Sequence, residues 1–81
     1  MKHIINKRKV YNYLLDFSQD TFKKYNINVR ESEIKEKVEE FCKEILSNLI
    51  KIEFFKSTIR IYYFSNGYTH FFDFPINILN Y

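Results

Sequence analysis

The stretch Ile59-Arg60-Ile61-Tyr62-Tyr63-Phe64-Ser65-Asn66-Gly67-Tyr68-Thr69-His70-Phe71-Phe72-Asp73-Phe74 decides the fold. Two runs of β-branched and aromatic residues flank Asn66-Gly67. That pair is the strongest short signal for a hairpin, because both central residues of a type I′ turn take positive φ. A two-residue loop also fixes the register. It places Ile59 opposite Phe74, Ile61 opposite Phe72 and Tyr63 opposite His70 on one face. On the other face Arg60 meets Asp73, Tyr62 meets Phe71, and Phe64 meets Thr69. The hairpin's only two charges thus become a cross-strand pair. The first face is the more apolar and is expected to lie on the core, His70 included.

Upstream of the hairpin the period changes from two to about 3.6. From Lys7 to Tyr25, Val10, Leu14 and Tyr25 fall together beside Tyr11, Leu15 and Phe22, and Asn12, Asp16, Gln19 and Lys23 lie on the other side. Asn26-Ile27-Asn28 breaks this helix, since asparagine competes for backbone hydrogen bonds and favours turns. A second helix follows. Ile34, Val38, Phe41, Cys42, Ile45, Leu49 and Ile52 fall on one continuous face, opposite Glu36, Glu40, Lys43, Glu44 and Ser47. Asn28 with Glu31, or Ser32 alone, is the expected N-cap. No glycine marks the end of this helix.

Two strands rarely stand alone. A third is expected from the tail, Pro75 to Tyr81, or from Lys2 to Asn6. The reading is an α+β domain spanning residues 1–81, with two helices packed on a small antiparallel sheet built around a C-terminal β-hairpin.

The 81 residues bury only about 60% of their unfolded surface, so the core is thin. One cysteine, Cys42, excludes an intrachain disulfide, and with His3 and His70 it falls short of a zinc set. No cofactor or metal is expected. No stretch approaches the roughly 18 apolar residues of a membrane span, and the start of the chain lacks the apolar run of a signal peptide. The expected compartment is the cytoplasm, with no membrane partner.

Lys, Asn, Ile, Tyr and Phe dominate the composition and Ala is absent. These residues have AT-rich codons, which points to a low-GC bacterium or its phages and inflates the aromatic count. The formal charge is +3, concentrated in the first thirty residues. Within that third, Lys7-Arg8-Lys9 sits where the helix macrodipole disfavours cations. It is either a mobile basic arm or an anion-binding or nucleic-acid-binding cluster.

Other candidates have simpler readings. Cys42 is a packing residue of the helix face. Glu33-Ile34-Lys35 matches a nuclease fragment but lacks a strand-borne aspartate. The one glycine belongs to the turn, so there is no phosphate loop. Arg60-Ile61-Tyr62-Tyr63-Phe64-Ser65-Asn66-Gly67 resembles a hairpin segment of the RelE/HigB class of ribosome-dependent RNase toxins. That resemblance implies a further basic cluster after Arg60, and none is present.

The face bearing Arg60, Tyr62, Phe64 and Phe71 is the candidate partner-binding surface, because arginine and aromatic residues dominate interface energetics. The expected function is a non-enzymatic protein-binding module that inhibits a larger, unidentified protein partner, as small anti-defence (anti-CRISPR-type) proteins of phages and mobile elements do. The alternative is a nucleic-acid-binding accessory protein that uses the basic N-terminal third. An RNase toxin and a homodimer whose second copy covers the aromatic face complete the expectations.

Overall fold

The computed structural model describes residues 4–80. In chain order the elements are β1 (Ile4–Ile5), α1 (Lys7–Lys24), α2 (Glu31–Ser47), β2 (Leu49–Phe54), β3 (Thr58–Ser65) and β4 (Tyr68–Pro75). A 3-10 turn (Ile76–Ile78) and β5 (Leu79–Asn80) complete the described residues. The architecture is α+β: two helices against a three-stranded antiparallel sheet of order β2-β3-β4.

The hairpin has the expected register at every position, from Ile59 opposite Phe74 to Ser65 opposite Tyr68. Asn66 and Gly67 take φ of 51° and 83°, as the turn requires. Residues on the inward face of β3 and β4 bury completely or nearly so: Ile59, Ile61, Tyr63 and Phe74. Val10 and Leu14 of α1 and Ile34, Val38, Cys42 and Ile45 of α2 meet them. No polar side chain is buried among the described residues. Each fully buried Leu, Ile or Phe here contributes roughly 1.5–3 kcal/mol.

Aromatic rings set how the layers meet. Tyr13 and Phe17 of α1 press on Phe74 and Phe72 of β4, with centroids 5.5 and 5.6 Å apart. Phe41 of α2 sits edge-on to Tyr63 at 6.0 Å and to Phe72 at 6.1 Å. The helices therefore cover β3 and β4. On β2 Ile52 packs against the core, but Leu49 stays 40% exposed.

Both helix starts follow local chemistry. Asn6 caps α1, its side-chain oxygen accepting from the Lys9 N–H at 3.2 Å. At the far end Asn26 turns to φ 54°, and the Ile27 N–H reaches back to the Phe22 carbonyl at 2.8 Å. That closure satisfies carbonyls the helix would otherwise leave open. The N-cap of α2 is Arg30, without a side-chain cap, rather than Asn28 or Ser32. Arg30 and Glu31 instead form ion pairs with Glu33 and Lys35.

Two expectations are overturned. The face of the second helix does not extend to Leu49 and Ile52, because the helix stops at Ser47 and residues 49–54 form a strand. The spacing of Leu49 and Ile52 fits a helix face. However, Lys51-Ile52-Glu53-Phe54 also alternates strictly, and pairing with β3 gives the hairpin the third strand it needs. The third strand is therefore β2, not the tail or the N-terminal segment. Those two ends pair with each other, Ile5 opposite Leu79. The tail still matters, since Ile78 and Leu79 are buried in the core. Lys2, His3 and Tyr81, which the expected strands included, lie outside the described residues.

His70 also departs from expectation. It stands opposite Tyr63 on the inward face and stacks on it at 5.5 Å, but it is exposed rather than buried in the core. Its Nε2 lies 3.0 Å from the Ser65 carbonyl. Glu44, expected on the solvent face of α2, accepts a hydrogen bond from the Ser65 hydroxyl. That contact ties the helix to the turn end of the hairpin.

A Cβ added at Gly67 would meet nothing within 4 Å, so any penalty there is conformational. Gly67→Val is expected to cost about 1–3 kcal/mol, because a β-branched residue resists φ near 83°. Gly67→Asn should cost clearly less, since asparagine tolerates this region. Thermal or urea denaturation of the two variants checks the order, and equal losses would contradict it.

Candidate functional site

Alternation along the strands sends Arg60, Tyr62 and Phe64 of β3 and Phe71 and Asp73 of β4 to the face away from the helices. β2 adds Lys51 opposite Tyr62 and Glu53 opposite Arg60. The structure thus brings Arg60, Tyr62, Phe64 and Phe71 together, as the register requires. No described element covers them. Phe64 and Phe71 are 51% and 54% exposed, and Phe55, just beyond β2, is 47% exposed.

Arg60 organises the centre. Its Nε and Nη2 donate to Asp73 Oδ1 and Oδ2 at 2.8 and 3.1 Å, a bidentate fork that holds the guanidinium flat. The held plane lies 4.2 Å from the centroid of Phe71 and 5.3 Å from that of Phe55, both cation–π distances. Tyr62 packs on Phe71 at 6.0 Å and donates its hydroxyl to Glu53 Oε1 at 2.5 Å. Lys51 hangs over the Tyr62 ring at 4.7 Å and reaches Glu53 at 3.9 Å.

The result is a rigid apolar platform with internally matched charges. On its strands two cations, Lys51 and Arg60, face two carboxylates, Glu53 and Asp73. Hydrogen bonds from Arg60 hold the Asp73 carboxyl below its ordinary value, and the Arg60 guanidinium is held still more firmly protonated by Asp73 and then Tyr62. Lys51, Glu53 and Phe55 were not among the expected site residues. The expected helix face ran on to Ile52 with no marked end, and the alternation of Lys51 to Phe54 was the signal that would have found Lys51 and Glu53.

The basic cluster is placed differently. Lys7, Arg8 and Lys9 form the exposed first turn of α1, a helix start rather than an arm. They also diverge. Lys7 and Arg8 line a groove of about 570 Å³ between α1 and α2, floored by Tyr11, Cys42 and Leu46. Lys9 belongs to a separate groove with Pro75 and Asn77.

Burial, and then the charge of Glu39, push the Cys42 thiol up to about 11, the opposite of what a nucleophilic thiolate needs. Glu33 and Lys35 are each engaged by a neighbour, Arg30 and Glu31, and the intervening Ile34 is buried. Among the described residues no cluster of His, Cys, Asp or Glu could hold a metal ion, and no helix is long and apolar enough to cross a membrane.

The fold and face define a two-helix α+β unit with one sheet face closed and the other open and aromatic. No protein family, curated protein or solved structure matches the chain.

The Arg60–Asp73 pair should show coupling. Arg60→Asp and Asp73→Arg are each expected to destabilise, and the double swap should recover at least half of the summed loss in a double-mutant cycle. Because the folded Asp73 value is lowered, its stabilising effect is present at neutral pH and is lost as pH falls through that value, below 3.8. Asp73→Asn should therefore flatten the acid limb of the stability–pH curve. For Cys42, native protein should react with a thiol reagent only on unfolding, and Cys42→Ala should cost on the order of 1 kcal/mol. Rapid reaction of the native thiol would contradict its placement.

Proposed function

We propose that the chain is a non-enzymatic protein-binding module that engages a larger protein through the outer sheet face centred on Arg60, Tyr62, Phe64 and Phe71. The observation that carries this reading is the matched charge of an open aromatic surface. A phosphate-binding surface needs free cations, because counterion release drives that association. Here Arg60 is committed to Asp73 and Lys51 to Glu53, so apolar anchoring is the main attraction the face offers.

Half-exposed Phe64 and Phe71 are the natural anchors, since aromatic rings bury much area at little conformational cost. Arg60, already fixed in place, adds a directed edge without further ordering. The composition supports origin in a low-GC bacterium, phage or mobile element. In that setting the specific form of the proposal is an anti-defence, anti-CRISPR-type inhibitor acting in the cytoplasm.

A second reading, nucleic-acid binding through Lys7, Arg8 and Lys9, is favoured by the excess of basic residues in the first third. It is weakened by the divergence of the three side chains into two grooves. The resemblance to RNase toxins adds little to it, because the quoted residues are strand and turn.

Tagged protein used as bait on a low-GC bacterial lysate, with and without nuclease, should retain a protein partner after nuclease treatment. Phe64→Ser and Phe71→Ser should each weaken the affinity of that purified partner by on the order of 30-fold. The melting temperature should move by no more than about 4 °C, as for exposed positions. Unfolding of either variant, or loss of capture on nuclease treatment with a steep salt dependence, would overturn the reading. The second of these would favour nucleic acid.

A further inference from the structure

The outer edge of β2 (Leu49–Phe54) has properties that the rest of the sheet lacks. β2 is an edge strand of the β2-β3-β4 sheet, and no described strand pairs with its other side. The helices do not shield it, so Leu49 and Ile50 are 40% and 51% exposed. An exposed apolar edge with open N–H and C=O groups is a template for another strand unless something blunts it. The bulge at Ile50 bends only the start of β2.

The hydrogen-bond pattern shows which residues face that edge. The Phe55 N–H donates to the Thr58 carbonyl at 2.9 Å. Bonding alternates along an antiparallel pair, so Glu53 and Lys51 also bond to β3. Ile52, between them, turns its N–H and C=O to the open side.

The sequence of β2 is complementary to itself about that same residue. In an antiparallel pairing of two copies centred on Ile52, Lys51 of each copy stands opposite Glu53 of the other, and Ile52 stands opposite itself. The Ile52 pair is then the hydrogen-bonded one. The two Lys51–Glu53 pairs are non-hydrogen-bonded positions, where side chains approach most closely. On the outer face Lys51 is exposed and Glu53 half-buried, their side chains 59% and 42% accessible, while Ile52 lies toward the helices. The edge of β4 offers no such match, since its one charge, Asp73, has no cation along the strand. α1 also lies against its inward rings.

We infer that the chain forms a two-fold symmetric dimer through antiparallel β2–β2 pairing centred on Ile52, with reciprocal Lys51–Glu53 pairs across the axis. The two sheets become one six-stranded sheet. Pairing across such an axis keeps all four helices on one side and joins the two aromatic faces on the other. Six residues span only about 20 Å, less contact than a permanent dimer makes, so the dimer dissociates on dilution.

Sedimentation equilibrium across protein concentration tests this, with melting temperature as the control for folding. Wild-type protein should show a monomer–dimer equilibrium. Lys51→Glu and Glu53→Lys should each weaken it by roughly tenfold or more, because both reciprocal pairs become like-charged. The double variant should recover to within about threefold of wild type.

Ile52→Cys in a Cys42→Ala background gives a readout independent of charge. The facing Cα atoms of a hydrogen-bonded pair are about 5.5 Å apart, within disulfide range, so mild oxidation should produce a covalent dimer. A monomer at all concentrations up to about 1 mM would overturn the inference. So would a double variant no better than the singles, or failure of the cysteine variant to cross-link. A dimer that ignores the Lys51 and Glu53 changes but dissociates with Phe64→Ser and Phe71→Ser would instead place the second copy on the aromatic face, contradicting the inference.

Discussion

The two positive φ angles at Asn66 and Gly67 are the constraint on which the rest of the structure depends. A turn with only two residues between strands leaves one register available, and a slip by one residue would send every side chain to the opposite face. With that register set, Ile59, Ile61, Tyr63 and Phe74 make a surface for the helices to cover. Arg60 and Asp73, the only charges on the two strands, find each other outside it. Glu44 of α2 reinforces the same corner by reaching the Ser65 hydroxyl. The turn therefore specifies both the core and the candidate site.

The second determinant is a mismatch between what must be covered and what is available to cover it. Two helices of 18 and 17 residues lie over β3 and β4, which carry the largest inward side chains. The rest of the closing work falls to the tail, where Ile78 and Leu79 are buried and the Asn6 N–H donates to the Ile78 carbonyl at 2.8 Å. Among the described residues nothing comparable reaches Leu49 on β2. A thin domain of this size thus leaves two kinds of surface open, an aromatic sheet face and an apolar sheet edge. They differ in physical character. The face offers side chains with matched charges, whereas the edge offers backbone hydrogen bonds.

Legibility in the sequence followed the range of the interactions. The hairpin, its register and the Arg60–Asp73 pair rest on contacts across one tight turn, and the sequence contained all of them. The start of α1 and the break at Asn26 were equally local. Residues 49–54 were ambiguous because Leu49 and Ile52 satisfy a helical period while Lys51 to Phe54 satisfies a strand period. Only pairing with β3, a tertiary contact, decides between them. With β2 misread, Lys51 and Glu53 could not be seen as part of the outer face, although Arg60, Tyr62, Phe64 and Phe71 could. The pairing of the two chain ends joins residues far apart in sequence, and Ile5 and Leu79 carry no local signal for it. The divergence of Lys7, Arg8 and Lys9 was likewise invisible, since it depends on which grooves α1 forms with α2 and with the tail.

The distribution of charge decides what the outer face can attract. Net positive charge attracts anions in general, but the response of a surface depends on which cations are free there. On the outer face both strand-borne cations are committed to carboxylates within 4 Å, and rings of Phe71 and Tyr62 occupy the space beside them. The Lys7-Arg8-Lys9 cluster lies instead on α1, on the helical side of the molecule. A nucleic acid attracted to α1 would not meet the aromatic residues, and a partner seated on the aromatic residues would not meet the basic cluster. The two surfaces therefore cannot be halves of one stacking-and-phosphate site. The aromatic face is therefore a surface of its own, with half-exposed rings set among charges that are already matched.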